Sequence, residues 1–179
     1  MDALKKQVIF LPEITDADKN FVGGKAFQIN RLSASGYKIP TGFVITSHAY
    51  QKFTDHNQLH EKIAFELGRK DFEKMRWEEI WDAALRIRSA FLAGEYPEDL
   101  KQTILSQLST LHISRQLVAR SSSPKEDTAT ASFAGLHESI IGIKNETDLL
   151  KSIKQVWASL WSDAALLYQH ELGLDPMKS

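Results

Sequence analysis

Four short β-rich runs, separated by longer stretches with a helical period, constrain the fold of this chain more than any other feature. The runs cover residues 7–11, 43–46, 116–120 and 138–143. Strands interleaved with helices are typical of an α/β or mixed α+β protein. Four strands are fewer than the five or six of an average sheet. We therefore expect the sheet to be incomplete within these 179 residues.

Glycine, proline and capping residues mark the helices between these runs. Helices are predicted at residues 23–35, from 47, at 71–92, from 97 and from 145 onward. The side chains predicted to face the core are Ala26, Ile29, Leu32, Tyr50, Phe53, Trp77, Ile80, Trp81, Ala84, Leu85, Phe91, Leu100, Ile104, Leu108, Leu111, Leu149, Ile153, Val156, Trp157, Leu160, Ala164 and Leu167. Core packing is also predicted for Trp161, which pairs with Trp157 as Trp81 pairs with Trp77.

Composition excludes several classes of protein. The chain has no cysteine, so disulfides, thiolate zinc sites and cysteine nucleophiles are ruled out. A formal net charge of -1 argues against a nucleic-acid or anionic-membrane partner. No stretch reaches the ~18 apolar residues of a membrane span, and the first residues do not resemble a signal peptide. We expect a cytoplasmic protein.

The sequence Gly23-Gly24-Lys25-Ala26 stands at the predicted start of a helix. Glycines allow a backbone to approach a ligand closely, and the free amides of a helix N-terminus favour an anion. The Lys25 ammonium adds a full positive charge. The motif is not a Walker P-loop, because Lys19 and Ala26 occupy positions where that motif needs glycine and a hydroxyl residue. Phosphate binding and an ordinary turn with a helix cap are both open from these residues alone.

A second candidate is Arg120, which ends an apolar strand and is followed by Ser121-Ser122-Ser123. This arrangement can present a guanidinium to phosphate oxygens. The alternative is an ion pair with Glu126 or Asp127. The following segment, residues 124–135, is rich in small and hydroxyl side chains. It can serve as a lid over a nucleotide or as a plain surface connection.

Several motifs occur in an order that resembles one family. They are Gly23-Gly24-Lys25-Ala26, the run 39–46 (IPTGFVIT) with Ala49-Tyr50 and Phe53, Arg120-Ser121-Ser122 with Glu126-Asp127, Ser132-Phe133-Ala134-Gly135, and the segment 156–164 (VWASLWSDA). This series is similar to the N-terminal ATP-binding region of phosphoenolpyruvate synthase, pyruvate phosphate dikinase and the related rifampin phosphotransferases. The resemblance spans most of the chain.

The resemblance implies that residues 1–179 form part of the family's ATP-binding domain, the front half of an ATP-grasp-like fold, with a helical insert at about 54–112. It implies ATP as ligand, with phosphate contacts from Lys25 and Arg120 and a lid over them. Arg120 is in addition the predicted catalytic residue, by charge neutralisation during phosphoryl transfer. The implied site residues are Lys25, Arg120, Ser132, Phe133, Ala134 and Gly135.

The resemblance also sets expectations for partners. In the family the ATP domain continues beyond the region that this chain covers, so we expect the Mg²⁺ ligands to lie outside it. The expected partners are the C-terminal half of the domain or a phosphohistidine domain. A homo-oligomer is a further expectation, since a half-sheet would expose an apolar edge.

One departure from the family pattern supports a different function. Leu136-His137 stands where the family usually has Gln-Gln or Gln-His. The alternative function is a non-catalytic nucleotide-binding or regulatory module derived from the same fold. Two histidine patterns are predicted to have structural roles. His48 lies in a Thr-Ser-His-Ala sequence, but outside the setting of a phosphohistidine motif. His56 and His60 have the spacing of a metal-binding pair but lack an evident third ligand.

Overall fold

The computed structural model describes residues 6–111, 116–122, 127–128, 131–132 and 138–174, and gives only the backbone of the two short pairs 127–128 and 131–132. The described chain is a helix-rich mixed α/β fold with three small antiparallel sheets. Among the described residues, no helix is both long enough and apolar enough to cross a membrane.

The elements follow one another in this order. The strands are β1 (Val8–Phe10), β2 (Phe43–Ile45), β3 (Leu117–Arg120), β4 (Asp127–Thr128), β5 (Ala131–Ser132) and β6 (Ser139–Ile143). The α-helices are α1 (Lys19–Val22), α2 (Gly24–Ala34), α3 (Ser47–His56), α4 (Leu59–Leu67), α5 (Trp77–Ala93), α6 (Glu98–Thr110), α7 (Glu146–Ser159) and α8 (Asp163–Glu171). Short 3₁₀ turns cover Leu11–Glu13, Asp16–Asp18 and Phe72–Lys74.

The chain divides into two compact units. The first unit consists of Met1–Phe53, Tyr96–Arg115 and Ser122–Ser132. The second unit consists of Thr54–Glu95, Gln116–Ser121 and Phe133–Ser179.

The first unit is built around the antiparallel pair β1–β2, in which Ile9 stands opposite Val44. Its core is a cluster of buried apolar side chains from β1, the 3₁₀ turn after it and the first two helices: Ile9, Leu11, Ile14, Val22, Ala26 and Phe27. The Asn30 side-chain amide of α2 donates to the Leu11 carbonyl at 2.8 Å. This bond fixes α2 against the segment that follows β1.

The second unit pairs β3 with β6 and packs α5 against α4, α7 and α8. The rings of Phe91 and Trp161 stack with centroids 6.2 Å apart, both buried. The Lys154 ammonium donates to the carbonyls of Leu92 (2.6 Å) and Gly94 (3.0 Å). A cation at the end of α5 satisfies carbonyl groups that have no partner within the helix.

Most of the predicted elements are confirmed. Each of the four β-rich runs contains a strand, and the strands pair as β1–β2 and β3–β6. Gly36, with φ of 86°, follows α2, and Gly94 is the C-cap of α5. Asn145 caps α7 by accepting from the Asp148 amide at 2.8 Å. Trp157 and Trp161 are buried, as predicted.

The prediction for the middle helix is wrong in two respects. Helix α5 begins at Trp77 rather than near residue 71, and Trp77 and Trp81 are 58% and 46% exposed. Its buried row is Ile80, Ala83, Ala84, Ile87 and Phe91. Two adjacent rows of this helix share the helical period, so periodicity could not tell which of them faces a neighbouring helix. Leu85 of α5 and Leu32 of α2 are likewise exposed rather than buried.

The last predicted helix is two helices. Helix α7 ends at Ser159, and α8 starts anew at Asp163 after Ser162, whose hydroxyl accepts from the Ala165 amide at 3.1 Å. The break rotates the buried face, so that Ala164 is exposed while Ala165 and Leu166 are buried. The Ser-Asp pair at 162–163 is a typical N-terminal signal, so the prediction of one continuous helix is wrong at this point.

Candidate functional site

The Gly23–Ala26 turn comprises Gly23, which lies between α1 and α2, and the first three residues of α2. Gly23 ends α1 and is the N-cap of α2, with φ of 80° and ψ of 163°. This conformation is essentially restricted to glycine. The Phe27 amide makes the first bond of α2, to the Gly23 carbonyl at 3.1 Å. The amides of Gly24, Lys25 and Ala26 therefore precede the first intrahelical bond.

Ser122 lies directly on this turn, about a hundred residues later in the chain. Its hydroxyl donates to the Val22 carbonyl at 2.8 Å and accepts from the Ala26 amide at 3.1 Å. A Cβ on Gly23 would stand only 2.2 Å from the Ser122 carbonyl oxygen. The glycine motif and Ser122, one of the hydroxyl residues after Arg120, thus meet within the first unit.

Lys25 lies in the first turn of α2 and is half-buried. A lysine in the first turn of a helix adds positive charge to the end of the helix that is already positive. An anion bound at this end would interact favourably with both the lysine and the helix. The position therefore fits the predicted role of Lys25 as a phosphate contact.

Arg120 is the last residue of β3 and is exposed. It stands opposite Ser139 in the β3–β6 ladder and belongs to the second unit, whereas Lys25 belongs to the first. The side chains of Glu126 and Asp127, its alternative ion-pair partners, lie outside the described residues. The ion pair and the phosphate contact of Arg120 both stay predictions.

The predicted lid falls largely outside the described residues. Phe133, Ala134 and Gly135 are not among them, and neither are Leu136 and His137. For Ser132 only the backbone is described: it lies in β5, opposite Asp127 of β4. The lid stays a prediction.

His48 and His60, two of the histidines considered in the sequence, contact side chains of the protein. The His48 ring, in the first turn of α3, is 4.2 Å from the Phe21 ring between centroids. The His60 Nε2 lies 3.1 Å from the Thr54 hydroxyl and 3.4 Å from the Asp55 carboxylate. Within the ranges described above, no three His, Cys, Asp or Glu side chains are grouped so that they could hold a metal ion.

Comparison with known proteins identifies the class to which this domain belongs. Residues 19–179 match the family described as pyruvate phosphate dikinase, AMP/ATP-binding domain. The chain belongs to this family, which confirms the resemblance predicted from the ordered motifs.

Individual relatives are similar over nearly the whole chain. A phosphoenolpyruvate synthase of Aquifex aeolicus is 34% identical over 99% of this chain and 22% of its own length. One from Aeropyrum pernix is 34% identical over 96% of the chain and 21% of its own length. A rifampicin phosphotransferase of Bacillus subtilis is 30% identical over 94% of the chain and 19% of its own length. The chain thus spans about a fifth of the length of these relatives.

Proposed function

We propose that this chain is the ATP-binding portion of a phosphotransferase of the phosphoenolpyruvate synthase and pyruvate phosphate dikinase type, with phosphate contacts from Lys25 and Arg120. The family match over residues 19–179 is the observation that carries the proposal. The geometry of the Gly23–Ala26 turn supports it, because a glycine-dependent turn delivers a lysine and backbone amides to one helix end.

The chemistry of phosphoryl transfer suits these groups. The transferred phosphoryl group needs charge neutralisation and positioning rather than covalent catalysis by the protein. Lys25 would neutralise phosphate charge beside the amides of Gly24 and Lys25, and Arg120 would offer a planar guanidinium to phosphate oxygens. In this proposal Ser132, Phe133, Ala134 and Gly135 form the lid that excludes water from the phosphates.

The finer features of the domain belong to the same proposal. We infer an ATP-grasp-like fold to which this chain contributes the front half, with residues 54–112 as its helical insert. Mg²⁺, when bound with the nucleotide, would neutralise further phosphate charge. We propose that the protein ligands of Mg²⁺ lie outside this chain, in the C-terminal half of the domain. That half would also be the partner of this chain. A cytoplasmic location remains a prediction.

Calorimetric titration with Mg-ATP tests the phosphate contacts. Lys25→Ala and Arg120→Ala should each raise the Kd for ATP about 10- to 100-fold, since a hydrogen bond to a charged group contributes about 1.5–3 kcal/mol. The Kd for adenosine should not change, because adenosine has no phosphates.

Two matched variants control for the lost charge. Arg31→Ala removes an exposed cation from the last turn of α2, and Lys144→Ala removes one that follows β6. Both should bind ATP like the wild type. Wild-type ATP affinity in both Lys25→Ala and Arg120→Ala would remove these residues from the phosphate site.

A reconstitution separates the enzyme from the regulatory alternative. The chain is mixed with a separately produced C-terminal half of a related phosphoenolpyruvate synthase, and transfer of the ³²P-labelled β- or γ-phosphoryl group to protein is followed. Transfer that depends on Lys25 supports the enzyme. ATP binding without any transfer supports a non-catalytic module.

A further inference from the structure

We propose that Ser122 is a positioning residue for the phosphate-contact turn, holding Gly23–Ala26 in the conformation that binds the nucleotide. The proposal rests on the proposed function and adds a residue to its site. Ser122 would not touch the nucleotide; it would act through the backbone on which Lys25 stands.

The Ser122 hydroxyl makes two hydrogen bonds, one as donor and one as acceptor. Ser122 Oγ donates to the Val22 carbonyl, the last residue of α1, and accepts from the Ala26 amide in the first turn of α2. A hydroxyl is suited to this task because it carries a donor and acceptor lone pairs on one atom. Ser122 thereby ties the end of one helix to the start of the next, on either side of Gly23.

The Ser122 backbone closes the turn from the same side. The Ser122 carbonyl oxygen lies where a Gly23 Cβ would come within 2.2 Å, and Ser122 Oγ lies 2.6 Å from the same point. Gly23 is in a conformation that only glycine adopts readily. Both the close approach of the Ser122 backbone and the dihedral angles of Gly23 therefore require glycine at position 23.

The bonds also decide which amides can face an anion. The Ala26 amide donates to the Ser122 hydroxyl, so it is not among the anion contacts of the proposed site. Without the Ser122 hydroxyl, the Ala26 amide and the Val22 carbonyl would need other partners, and the turn could rearrange around them. Loss of the hydroxyl would thus weaken nucleotide binding by displacing the turn, and not by removing a direct contact with the nucleotide.

Substitution of Ser122 with parallel binding and stability measurements tests this inference. Ser122→Ala should raise the Kd for Mg-ATP about tenfold and leave the Kd for adenosine unchanged. Ser122→Thr keeps the hydroxyl and should restore ATP affinity to within about twofold of the wild type. Hydrogen exchange at the Ala26 amide should accelerate in Ser122→Ala and recover in Ser122→Thr.

Ser162→Ala is the matched control, because it removes a serine hydroxyl that also accepts a helix amide, at the start of α8. Its ATP affinity should equal that of the wild type even if its melting temperature falls as far as that of Ser122→Ala. Ser122→Cys, which weakens both bonds without changing the side-chain framework, replaces the alanine variant if that variant does not fold.

The outcomes separate the inference from the proposed function. If Lys25→Ala weakens ATP binding while Ser122→Ala does not, the inference is wrong and the proposed function stands. If Ser122→Ala and Ser162→Ala weaken ATP binding equally, the role of Ser122 is merely structural and the inference is again wrong. If the wild-type chain binds no ATP, the proposed function fails and this inference falls with it.

Discussion

Replacement of Gly23 by alanine tests whether the turn is held as tightly as the distances indicate. The first cost comes from the backbone, since φ of 80° with ψ of 163° is a glycine conformation that costs another residue about 1–3 kcal/mol. The second cost comes from space, since the new Cβ would lie 2.2 Å from the Ser122 carbonyl oxygen. Ser122 must then move and lose its two hydrogen bonds, each contributing about 0.5–1.5 kcal/mol.

These two costs sum to about 2–6 kcal/mol of unfolding free energy. The assay is urea unfolding followed by far-UV circular dichroism. Tryptophan fluorescence would be the wrong probe, because Trp77, Trp81, Trp157 and Trp161 all belong to the second unit and the turn belongs to the first.

Gly36→Ala is the matched control. Gly36 also has a positive φ, 86°, but a Cβ there would meet nothing within 4 Å. Its replacement should therefore carry only the dihedral cost, about 1–2 kcal/mol. Equal losses in Gly23→Ala and Gly36→Ala would show that the contact between residue 23 and Ser122 contributes nothing to stability.

Three further predictions concern the second unit. Lys154→Met should lower the unfolding free energy by about 1–3 kcal/mol, measured by urea unfolding, because the carbonyls of Leu92 and Gly94 lose a charged donor; an unchanged value would exclude this cap. Trp161→Ala should cost about 3–5 kcal/mol in the same assay, whereas Trp81→Ala, at an exposed site, should cost less than about 1 kcal/mol, and the reverse order would contradict the packing of α5. The hydrogen bond from Lys70, with one from the Arg76 amide, lowers the pKa of Glu79 from 4.5 to about 2. A carboxylate whose pKa is lower in the folded state stabilises the fold at pH values above its unfolded-state pKa. The melting temperature of the wild type should therefore exceed that of Glu79→Gln at neutral pH, and the difference should shrink as the pH falls from about 5 to about 2. A difference independent of pH would contradict this assignment.

Local signals in the sequence are sufficient for the strands and for several helix ends. β-rich runs bounded by turn residues predict β1, β2, β3 and β6, and they are found. Gly36 and Asn145 act where their chemistry predicts, as a glycine stop and a side-chain cap. Such signals depend on neighbours in the chain, so they are available without the fold.

Features that depend on distant residues could not be predicted in this way. The exposure of Trp77 and Trp81 is decided by which row of α5 its neighbouring helices cover. The two hydrogen bonds of the Ser122 hydroxyl, with Ala26 and Val22, join groups separated by 96 and 100 positions in the chain. The sequence presents Gly23-Gly24-Lys25 and Arg120-Ser121-Ser122 as separate motifs, and only their order within the family links them.

The affinities of the wild type, Lys25→Ala and Arg31→Ala for adenosine, ADP and ATP in the presence of Mg²⁺ test the phosphate contact of Lys25. We expect the affinity to rise from adenosine to ADP to ATP in the wild type and in Arg31→Ala. Lys25→Ala should lose about 10- to 100-fold of the affinity for ATP, alone or together with that for ADP. The same rise in Lys25→Ala as in the wild type would contradict a phosphate contact at the Gly23–Ala26 turn.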